Sequence, residues 1–371
     1  MTPLTFSAIK VLVISATASL VAILWAPILI KFLYKKKLWK KSARSKAISG
    51  EDAVIFNSLH KEREISVPRM GGLIIVATTV LVIFLFYAVS VIFSDNWFSQ
   101  LNFLSRGQTW LPLFTLISAS LFGLLDDILV VSSSNSYRDQ SEKKLWQRLF
   151  FVNNYVGSGL SLKKRLLVVI LIGLTGGIWF YSKLGWDVIS IPLLGHFSIG
   201  IWYVPLFILV MVATWSGGII DGLDGLAGGV FASIFGAFTI ISFSQGKIDL
   251  ATFCAVITGT LFAFLWFNIP PARFYMTEVG ILGLTTTLSV VAFLTDSVFV
   301  LPIIAGPLVI ETGSVIVQLL SKKIRHKKIF LSTPIHHHFE AIGWPPHKVT
   351  MRFWVLGIVL AIIGVVIRLT G

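Results

Sequence analysis

Two carboxylates, Asp221 and Asp224, stand three residues apart in a glycine-rich segment that joins two apolar runs, 203–214 and 230–243. A carboxylate at or near membrane depth is costly, and acids in such places usually serve a function. The glycines around the acids allow a tight turn and a close approach between the backbone and a ligand. We therefore predict a functional site in this segment, and a polar turn between two spans is the alternative.

Three further acids are expected on the same side of the membrane. Asp126 and Asp127 end the third apolar run, and Glu278 opens the eighth. Adjacent carboxylates at the C-terminal end of a helix oppose its dipole and repel each other, so this pair needs a cation or a shared proton. Together with Asp221 and Asp224 these residues form a carboxylate rim, whose hard oxygens suit Mg²⁺ bridging substrate phosphates. A set of solvated helix ends is the alternative.

Three histidines follow one another in the ninth loop, His336, His337 and His338. Side chains of consecutive residues point in different directions, so three in a row rarely bind one ion. The sequence also lacks the cysteine pairs and the His-Glu-x-x-His spacing that indicate zinc. We expect these histidines to bind anionic phosphate or to relay protons.

The composition predicts a membrane protein, because 55% of the 371 residues are hydrophobic, only 13% are charged, and the mean hydropathy is +0.85. Apolar runs of about 20 residues are long enough to cross a bilayer as helices. Ten such runs predict an all-α polytopic protein with a single integral-membrane domain, 1–371. The runs are 8–32, 72–93, 110–125, 166–181, 200–215, 226–243, 251–267, 281–294, 299–320 and 353–367. The lone Cys254 excludes an intramolecular disulfide.

The net charge is +14, and the basic residues are distributed unevenly among the loops. The loops after the first, third and ninth runs carry most of them, whereas the even-numbered loops hold Arg106, Lys183 and Lys247. Because basic loops stay in the cytoplasm, we predict the odd-numbered loops and the carboxylate rim there, and both termini outside the inner membrane. The basic loops are expected to face membrane lipids. No nucleic-acid-binding motif accompanies them, so no nucleic acid partner is expected.

Five segments carry a resemblance to a known family. They are Met70-Gly71-Gly72, Asp126-Asp127, 221–227 (Asp-Gly-Leu-Asp-Gly-Leu-Ala), Asn268 with Pro271-Ala272, and 334–344, in which His-His-His-Phe-Glu precedes Gly-Trp. In this combination the chain resembles the polyprenyl-phosphate N-acetylhexosamine-1-phosphate transferases. The histidine segment and Arg352-Phe353-Trp354 are most similar to the phospho-N-acetylmuramoyl-pentapeptide transferase (MraY) family. The resemblance covers nearly the whole chain from Met70.

The resemblance implies an enzyme that transfers phospho-MurNAc-pentapeptide from UDP-MurNAc-pentapeptide to undecaprenyl phosphate with Mg²⁺, giving lipid I and UMP. The implied catalytic residues are Asp126, Asp127, Asp221, His336 and His337. The implied substrate-binding residues are Asp224, Asn268, Tyr275, Gln318 and His338. The implied Mg²⁺ ligands are Glu278 and Asp221. A homodimer is included among the expected partners.

Several positions depart from the family's pattern. Trp215 and Gly218 stand where the family has asparagines, and Glu278 stands where it has an aspartate. Arg69 replaces a threonine, and Val130 replaces a lysine. These differences leave two alternatives open. One is a sister transferase that moves another nucleotide-activated sugar phosphate onto a polyprenyl phosphate, and the other is a non-catalytic lipid-binding or transport paralogue.

Overall fold

The computed structural model describes residues 2–40, 65–93, 97–133 and 159–371. The α-helices in these segments are α1 (Pro3–Lys35), α2 (Leu73–Ile92), α3 (Trp110–Ser133), α4 (Leu162–Lys183), α5 (Tyr203–Ser216), α6 (Leu226–Ser244), α7 (Ile248–Asn268), α8 (Thr277–Leu294), α9 (Leu301–Ile304), α10 (Gly306–Arg325), α11 (Ile335–Ala341) and α12 (Pro346–Thr370). Short 3-10 helices occupy Trp97–Leu101, Gly200–Trp202 and Gly217–Ile220. Two antiparallel strands, β1 (Val188–Ile191) and β2 (Gly195–Ser198), form a hairpin.

Within the described residues, nine helical segments are long and apolar enough to cross a membrane, namely α1 to α4, α5 together with the 3-10 helices that flank it, α6 to α8, and α12. This agrees with the predicted class of a helical, polytopic membrane protein. The side of the membrane on which the termini and the loops lie stays a prediction. Many of the basic residues behind that prediction lie outside the described residues: Lys41, Arg44, Lys46, Lys61, Arg63, Arg138, Lys143, Lys144 and Arg148.

The run 299–320, predicted as a single span, is divided into α9 and the 20-residue α10, which is long enough but not apolar enough to count as a span, so the described residues contain nine candidate spans where ten were predicted. Pro302 and Pro307 lie in the first turns of these two helices. Proline has no backbone N–H and is tolerated at a helix start but not in its interior, so a new helix begins at each. α10 also carries the buried Glu311 and ends in three basic residues, which lowers its apolar character.

A short β-hairpin, β1–β2, lies between α4 and α5 and was not predicted. Its register places Val188 opposite Ser198, and Leu193 in the connecting turn has a positive φ of 67°. The β-branched residues of β1 favour an extended strand. Ser190 fixes the hairpin to the bundle, because its backbone N–H donates to Asp296 Oδ1 at 3.0 Å just beyond the end of α8.

The centre of the bundle is α8, because 94% of its residues are buried inside the protein. It packs mainly against α3 and α5. The hydroxyl groups of Thr285, Thr286 and Ser289 donate to carbonyls of the same helix, as where Thr285 donates to the carbonyl of Ile281 at 2.7 Å, so these groups need no polar cavity. Gly123 of α3 comes so close that a Cβ there would lie 2.2 Å from the carbonyl oxygen of Glu278. This contact places the C-terminal part of α3 beside the start of α8.

Several other helix ends meet at the same end of the bundle. Because α6 and α7 are consecutive helices packed along each other, the start of α6 lies near the end of α7, and Gly225 N donates to Asn268 Oδ1 at 3.0 Å. Trp354 Nε1 of α12 donates to the carbonyl of Gly225 at 3.1 Å. The entrance to α2 joins them, since Gly71 N donates to the carbonyl of Tyr275 at 2.7 Å. The first, fifth and seventh loops, which were predicted on one side of the membrane, therefore converge at this end of the bundle.

Candidate active site

Asp126 and Asp127 lie near the C-terminal end of α3 and are buried. Asp127 Oδ2 accepts hydrogen bonds from Thr277 Oγ1 at 2.6 Å and from Val279 N at 3.0 Å. Its other oxygen, Oδ1, accepts a hydrogen bond from Arg69 Nη2 at 2.9 Å. The Val279 N–H belongs to the first turn of α8, where the helix dipole favours a negative charge. Asp127 is therefore held by two segments, the start of α8 and the loop before α2.

Arg165, near the start of α4, joins the other two acids at this point. Its Nη2 lies 2.8 Å from Asp126 Oδ2, and its Nη1 donates to Glu278 Oε1. Asp126 Oδ1 also accepts a hydrogen bond from Leu160 N. The planar fork of arginine suits such double contacts with carboxylates. The cation that adjacent carboxylates need is therefore supplied by the chain itself, as the guanidinium groups of Arg69 and Arg165.

Asp221 and Asp224 contact the segment that leads into α8. Asp221 Oδ2 accepts a hydrogen bond from Thr277 N at 2.8 Å, and Asp224 Oδ2 accepts one from Ala272 N at 3.1 Å. Burial raises the pKa of Asp221 to about 6, although the Thr277 N–H and Arg69 oppose the rise. Asp221 and Asp127 thus accept hydrogen bonds from the same residue, Thr277.

The segment 221–225, which carries Asp221 and Asp224, is here called the acidic loop, and two histidines of α11, each paired with a carboxylate, approach it. His336 Nδ1 lies 2.9 Å from Glu311 Oε2, and His337 Nδ1 lies 2.7 Å from Glu340 Oε2. The Nε2 atoms of both rings face Gly222, because a Cβ on that glycine would lie 2.2 Å from His336 Nε2 and 3.2 Å from His337 Nε2. A residue without a side chain is required there. The structure therefore places both predicted catalytic histidines against the acidic loop.

Two of the predicted substrate-binding residues bond to the loop between α7 and α8. Asn268 accepts a hydrogen bond from Gly225 N and donates Nδ2–H to the carbonyl of Phe274 at 2.7 Å. The backbone N–H of Tyr275 donates to the carbonyl of Pro68 at 2.9 Å, and its side chain is half-buried. Both residues shape the loop, and their contacts with a substrate stay predictions.

Gln318 and His338 hold the segment that precedes α11. Gln318 Nε2 donates to the carbonyl of Phe330 at 2.9 Å, while its Oε1 accepts hydrogen bonds from the backbone of Ile329 and Phe330. His338 Nδ1 accepts a hydrogen bond from Leu331 N at 3.2 Å. The predicted substrate contacts of these two residues stay predictions.

Five residues of this region were not among the predicted site residues: Arg69, Arg165, Thr277, Glu311 and Glu340. Glu311 carried a signal, because it is an acid inside a predicted span. Arg165 was counted only among the basic residues of a loop, where charge has a topogenic explanation. Thr277 is an ordinary polar residue in the sequence, and its role comes from its backbone conformation.

The donor set fits a magnesium ion. Within the described residues, no group of three or more histidine, cysteine, aspartate or glutamate side chains is placed to hold a metal. Mg²⁺ needs fewer protein ligands, because it keeps water and binds one or two carboxylates together with substrate phosphates. The cluster has two more carboxylates than guanidinium groups, which a divalent cation balances. Its members are Asp126, Asp127, Asp221, Glu278, Arg69 and Arg165.

Comparisons with known proteins agree with this site. Residues 109–296 match the model of glycosyl transferase family 4, which spans the acids from α3 to α8. The chain is 30% identical over 362 residues to the phospho-N-acetylmuramoyl-pentapeptide-transferase of Anoxybacillus flavithermus, covering 97% of this chain and 98% of the relative. The proteins of the same name from Bacillus subtilis and Latilactobacillus sakei are 31% identical over 353 residues and 33% identical over 302 residues. These alignments cover 94% and 81% of this chain, and 95% and 84% of the relatives.

The similarity extends along nearly the full length of both the chain and its relatives. It therefore includes the acid pair of α3, the acidic loop and the histidines of α11, which meet in space although they are far apart in sequence. Fold, site and similarity agree that the chain belongs to the phospho-N-acetylmuramoyl-pentapeptide transferase (MraY) family of glycosyl-1-phosphate transferases, within glycosyl transferase family 4.

Proposed function

We propose that this chain transfers phospho-MurNAc-pentapeptide from UDP-MurNAc-pentapeptide to undecaprenyl phosphate, releasing UMP and forming lipid I, in the presence of Mg²⁺. One observation carries the proposal: acids from α3, the acidic loop and α8 meet the histidines of α11 at one end of a membrane bundle. Phosphoryl transfer depends mainly on positioning and on the stabilisation of charge, which such a cluster provides.

The end of α3 is the proposed place of the lipid phosphate. Asp126 and Asp127 serve the attacking phosphate oxygen, which must be free of its proton when it approaches the donor. Arg69 and Arg165 lie beside these acids with side chains 17% and 26% exposed, so their positive charge is available to an anionic headgroup. Carboxylates and guanidinium groups together can admit a phosphate without leaving a large uncompensated charge.

The acidic loop is the proposed place of the donor's diphosphate. Asp221 and Asp224 face the nucleotide and the reacting centre, and His336 and His337 contact the diphosphate. Asp221 and Glu278 would hold Mg²⁺, which would neutralise negative charge on the diphosphate. Asn268, Tyr275, Gln318 and His338 hold the loops against the donor, in keeping with their contacts to the backbone of those loops.

The proposed location is the inner membrane, with the active site on the cytoplasmic face, where both a soluble nucleotide and a lipid phosphate are present. The positive-inside distribution of charge supports this orientation. The whole chain, 1–371, acts as one domain in the proposal, since one apolar core includes residues from Ile14 in α1 to Val365 in α12. A homodimer remains a prediction.

A sister transferase with another sugar donor is the second candidate, and the positions that depart from the family pattern favour it. Trp215 and Glu278 line one small cavity with Asp126 and Arg165. An indole cannot replace both the donor and the acceptor of an asparagine amide. Polar contacts to the nucleotide or the sugar therefore differ at this wall of the site, which bears on donor choice.

The test is a donor panel with purified protein, polyprenyl phosphate and Mg²⁺, in which UMP release is measured for several UDP-sugars. We expect UDP-MurNAc-pentapeptide to react fastest, and UMP release to require both the lipid phosphate and Mg²⁺. A faster reaction with another UDP-sugar supports the sister transferase. No UMP from any donor, or equal release in excess EDTA, contradicts the proposed function. An Asp126→Asn variant serves as the inactive control.

A further inference from the structure

Glu311 of α10 and His336 of α11 form a completely buried pair. Both side chains have 0% exposure, and His336 Nδ1 lies 2.9 Å from Glu311 Oε2. The residues are 25 positions apart in sequence, so the contact ties the short helix α11 to α10. The neighbouring His337 differs, because its carboxylate, Glu340, comes from its own helix three residues later.

The opposite edge of the His336 ring faces the acidic loop. His336 Nε2 is buried and has no hydrogen-bond partner among the described residues. A Cβ added to Gly222 would lie 2.2 Å from this atom and 3.0 Å from Cε1 of the same ring. The unpartnered nitrogen is therefore directed at the backbone of the loop that carries Asp221 and Asp224.

The pair is poorly explained by stability alone. Glu311 Oε1 is also buried without a partner among the described residues. A buried carboxylate oxygen and a buried ring nitrogen left without hydrogen bonds each cost free energy. Apolar side chains of similar volume generally fill such a place at no loss of stability. A polar pair with one free atom at each end is therefore better explained by what it does for the site.

A carboxylate on one ring nitrogen of histidine has two effects. It fixes the orientation of the ring and places a hydrogen on the nitrogen it contacts. When the ring is protonated, both of its nitrogens are donors, so the other nitrogen is free to donate to an anion. With Nδ1 held by Glu311, Nε2 of His336 is the atom left to meet a substrate, and a phosphate oxygen is the acceptor that suits it.

We propose that Glu311 is a positioning residue that holds His336 Nε2 toward the acidic loop, where this nitrogen binds a phosphate oxygen of the donor's diphosphate. The proposal rests on the proposed function for its substrate. The arrangement of the Glu311–His336 pair itself does not depend on which sugar the donor carries.

The kinetic test combines Glu311→Gln and Glu311→Leu with His336→Ala in a double-mutant cycle. We expect Glu311→Leu to lower kcat by about 10–100-fold, as outer partners of ligating histidines do, with a smaller loss for Glu311→Gln, which keeps an acceptor oxygen. The KM for undecaprenyl phosphate is expected to stay within about threefold of the parent. In the His336→Ala background, Glu311→Leu should change kcat by less than about threefold, because residues that act as a unit are not additive.

The matched control is Asp249→Asn, which removes another ion pair, with Lys10 at 3.3 Å. Asp249 lies at the start of α7, about 30 Å of helix away from Asn268 at its end. We expect this variant to keep the parent's kcat. Unchanged kcat in Glu311→Leu, or an equal loss with and without His336, overturns the proposal, since an additive effect indicates a structural role.

A second measurement needs no substrate. In protein labelled with ¹⁵N-histidine, the His336 signals are identified by their absence in His336→Ala. Glu311→Leu should shift these ring-nitrogen signals and leave those of His196, in β2, in place. Unchanged His336 signals overturn the proposal. If the parent releases no UMP with any donor, the proposed function fails while this spectrum still decides whether Glu311 positions the ring.

Discussion

Thr277 donates its hydroxyl hydrogen to Asp127 at 2.6 Å from a backbone conformation that threonine rarely adopts, with φ of +57°. The backbone N–H of the same residue donates to Asp221 at 2.8 Å, and its Oγ1 accepts a hydrogen bond from Met70 N at 3.0 Å. A β-branched residue in this region stores about 1–3 kcal/mol of strain. Thr277 therefore joins Asp127 of α3 and Asp221 of the acidic loop to Met70 at the entrance of α2.

Thr277→Val is expected to lower the free energy of unfolding by about 1–3 kcal/mol, because it keeps the strain and leaves Asp127 and Met70 each with one hydrogen bond fewer. Thr277→Ser keeps the hydroxyl and should stay within about 1 kcal/mol of the parent. Thermal unfolding in detergent compares the two variants. Equal Tm values for them would show that the hydroxyl contacts contribute nothing.

Arg165→Gln is expected to destabilise the protein by about 1–3 kcal/mol, because Asp126 and Glu278 lose their shared cation. The Arg165 side chain is 26% exposed, so solvent screening keeps the loss below that of a fully buried pair. The control is Lys163→Gln, an exposed position two residues earlier. Adding Glu278→Gln to Arg165→Gln should recover part of the lost stability, since the unpaired charge is removed. The prediction is wrong if Arg165→Gln unfolds at the same temperature as Lys163→Gln.

Asp221→Asn should abolish transfer without destabilising the protein at pH 8. Burial raises the pKa of Asp221 from 3.8 to about 6, so the folded protein disfavours the ionised form. This cost is complete above about pH 6, shrinks as the pH falls toward about 4, and is absent below. The Tm of the variant, measured in Mg²⁺-free buffer, should therefore equal or exceed that of the parent at pH 8, and the difference should shrink toward pH 5. A much lower Tm at pH 8 contradicts the assignment.

The orientation in the membrane is tested by cysteine labelling in intact cells. Lys183 and Lys327 are exposed and lie in an even-numbered and an odd-numbered loop. Cys254 is buried and can be replaced by serine to give a background without thiols. An impermeant reagent should label Lys183→Cys in intact cells and Lys327→Cys only after permeabilisation. The reverse pattern refutes the predicted cytoplasmic site.

The carboxylate rim could be predicted because each acid lies at or near the end of an apolar run. An ionised side chain is costly there and usually has a functional role. The partners of these acids could not. Arg165 lies in a basic loop whose charge already has a topogenic explanation, and nothing local in the sequence directs it to Glu278. The left-handed backbone of Thr277 results from tertiary contacts rather than from its own preference.

The helices were predicted where apolar length alone decides the structure. The break between α9 and α10 was not predicted, because Pro302 and Pro307 divide a run whose apolar length indicates a single span. The β1–β2 hairpin consists of two four-residue strands beside a membrane helix. Runs that short carry too little periodicity to be distinguished from the ends of neighbouring spans.

The central claim is that the donor's β-phosphate moves onto the lipid phosphate. It is tested most directly with UDP-MurNAc-pentapeptide labelled with ³²P at the β position, incubated with purified protein, undecaprenyl phosphate and Mg²⁺. We expect the label in the lipid phase as a pyrophosphate-linked product, in amounts equal to the unlabelled UMP released. Label that stays in the aqueous phase, as intact donor or as free phosphate, contradicts it.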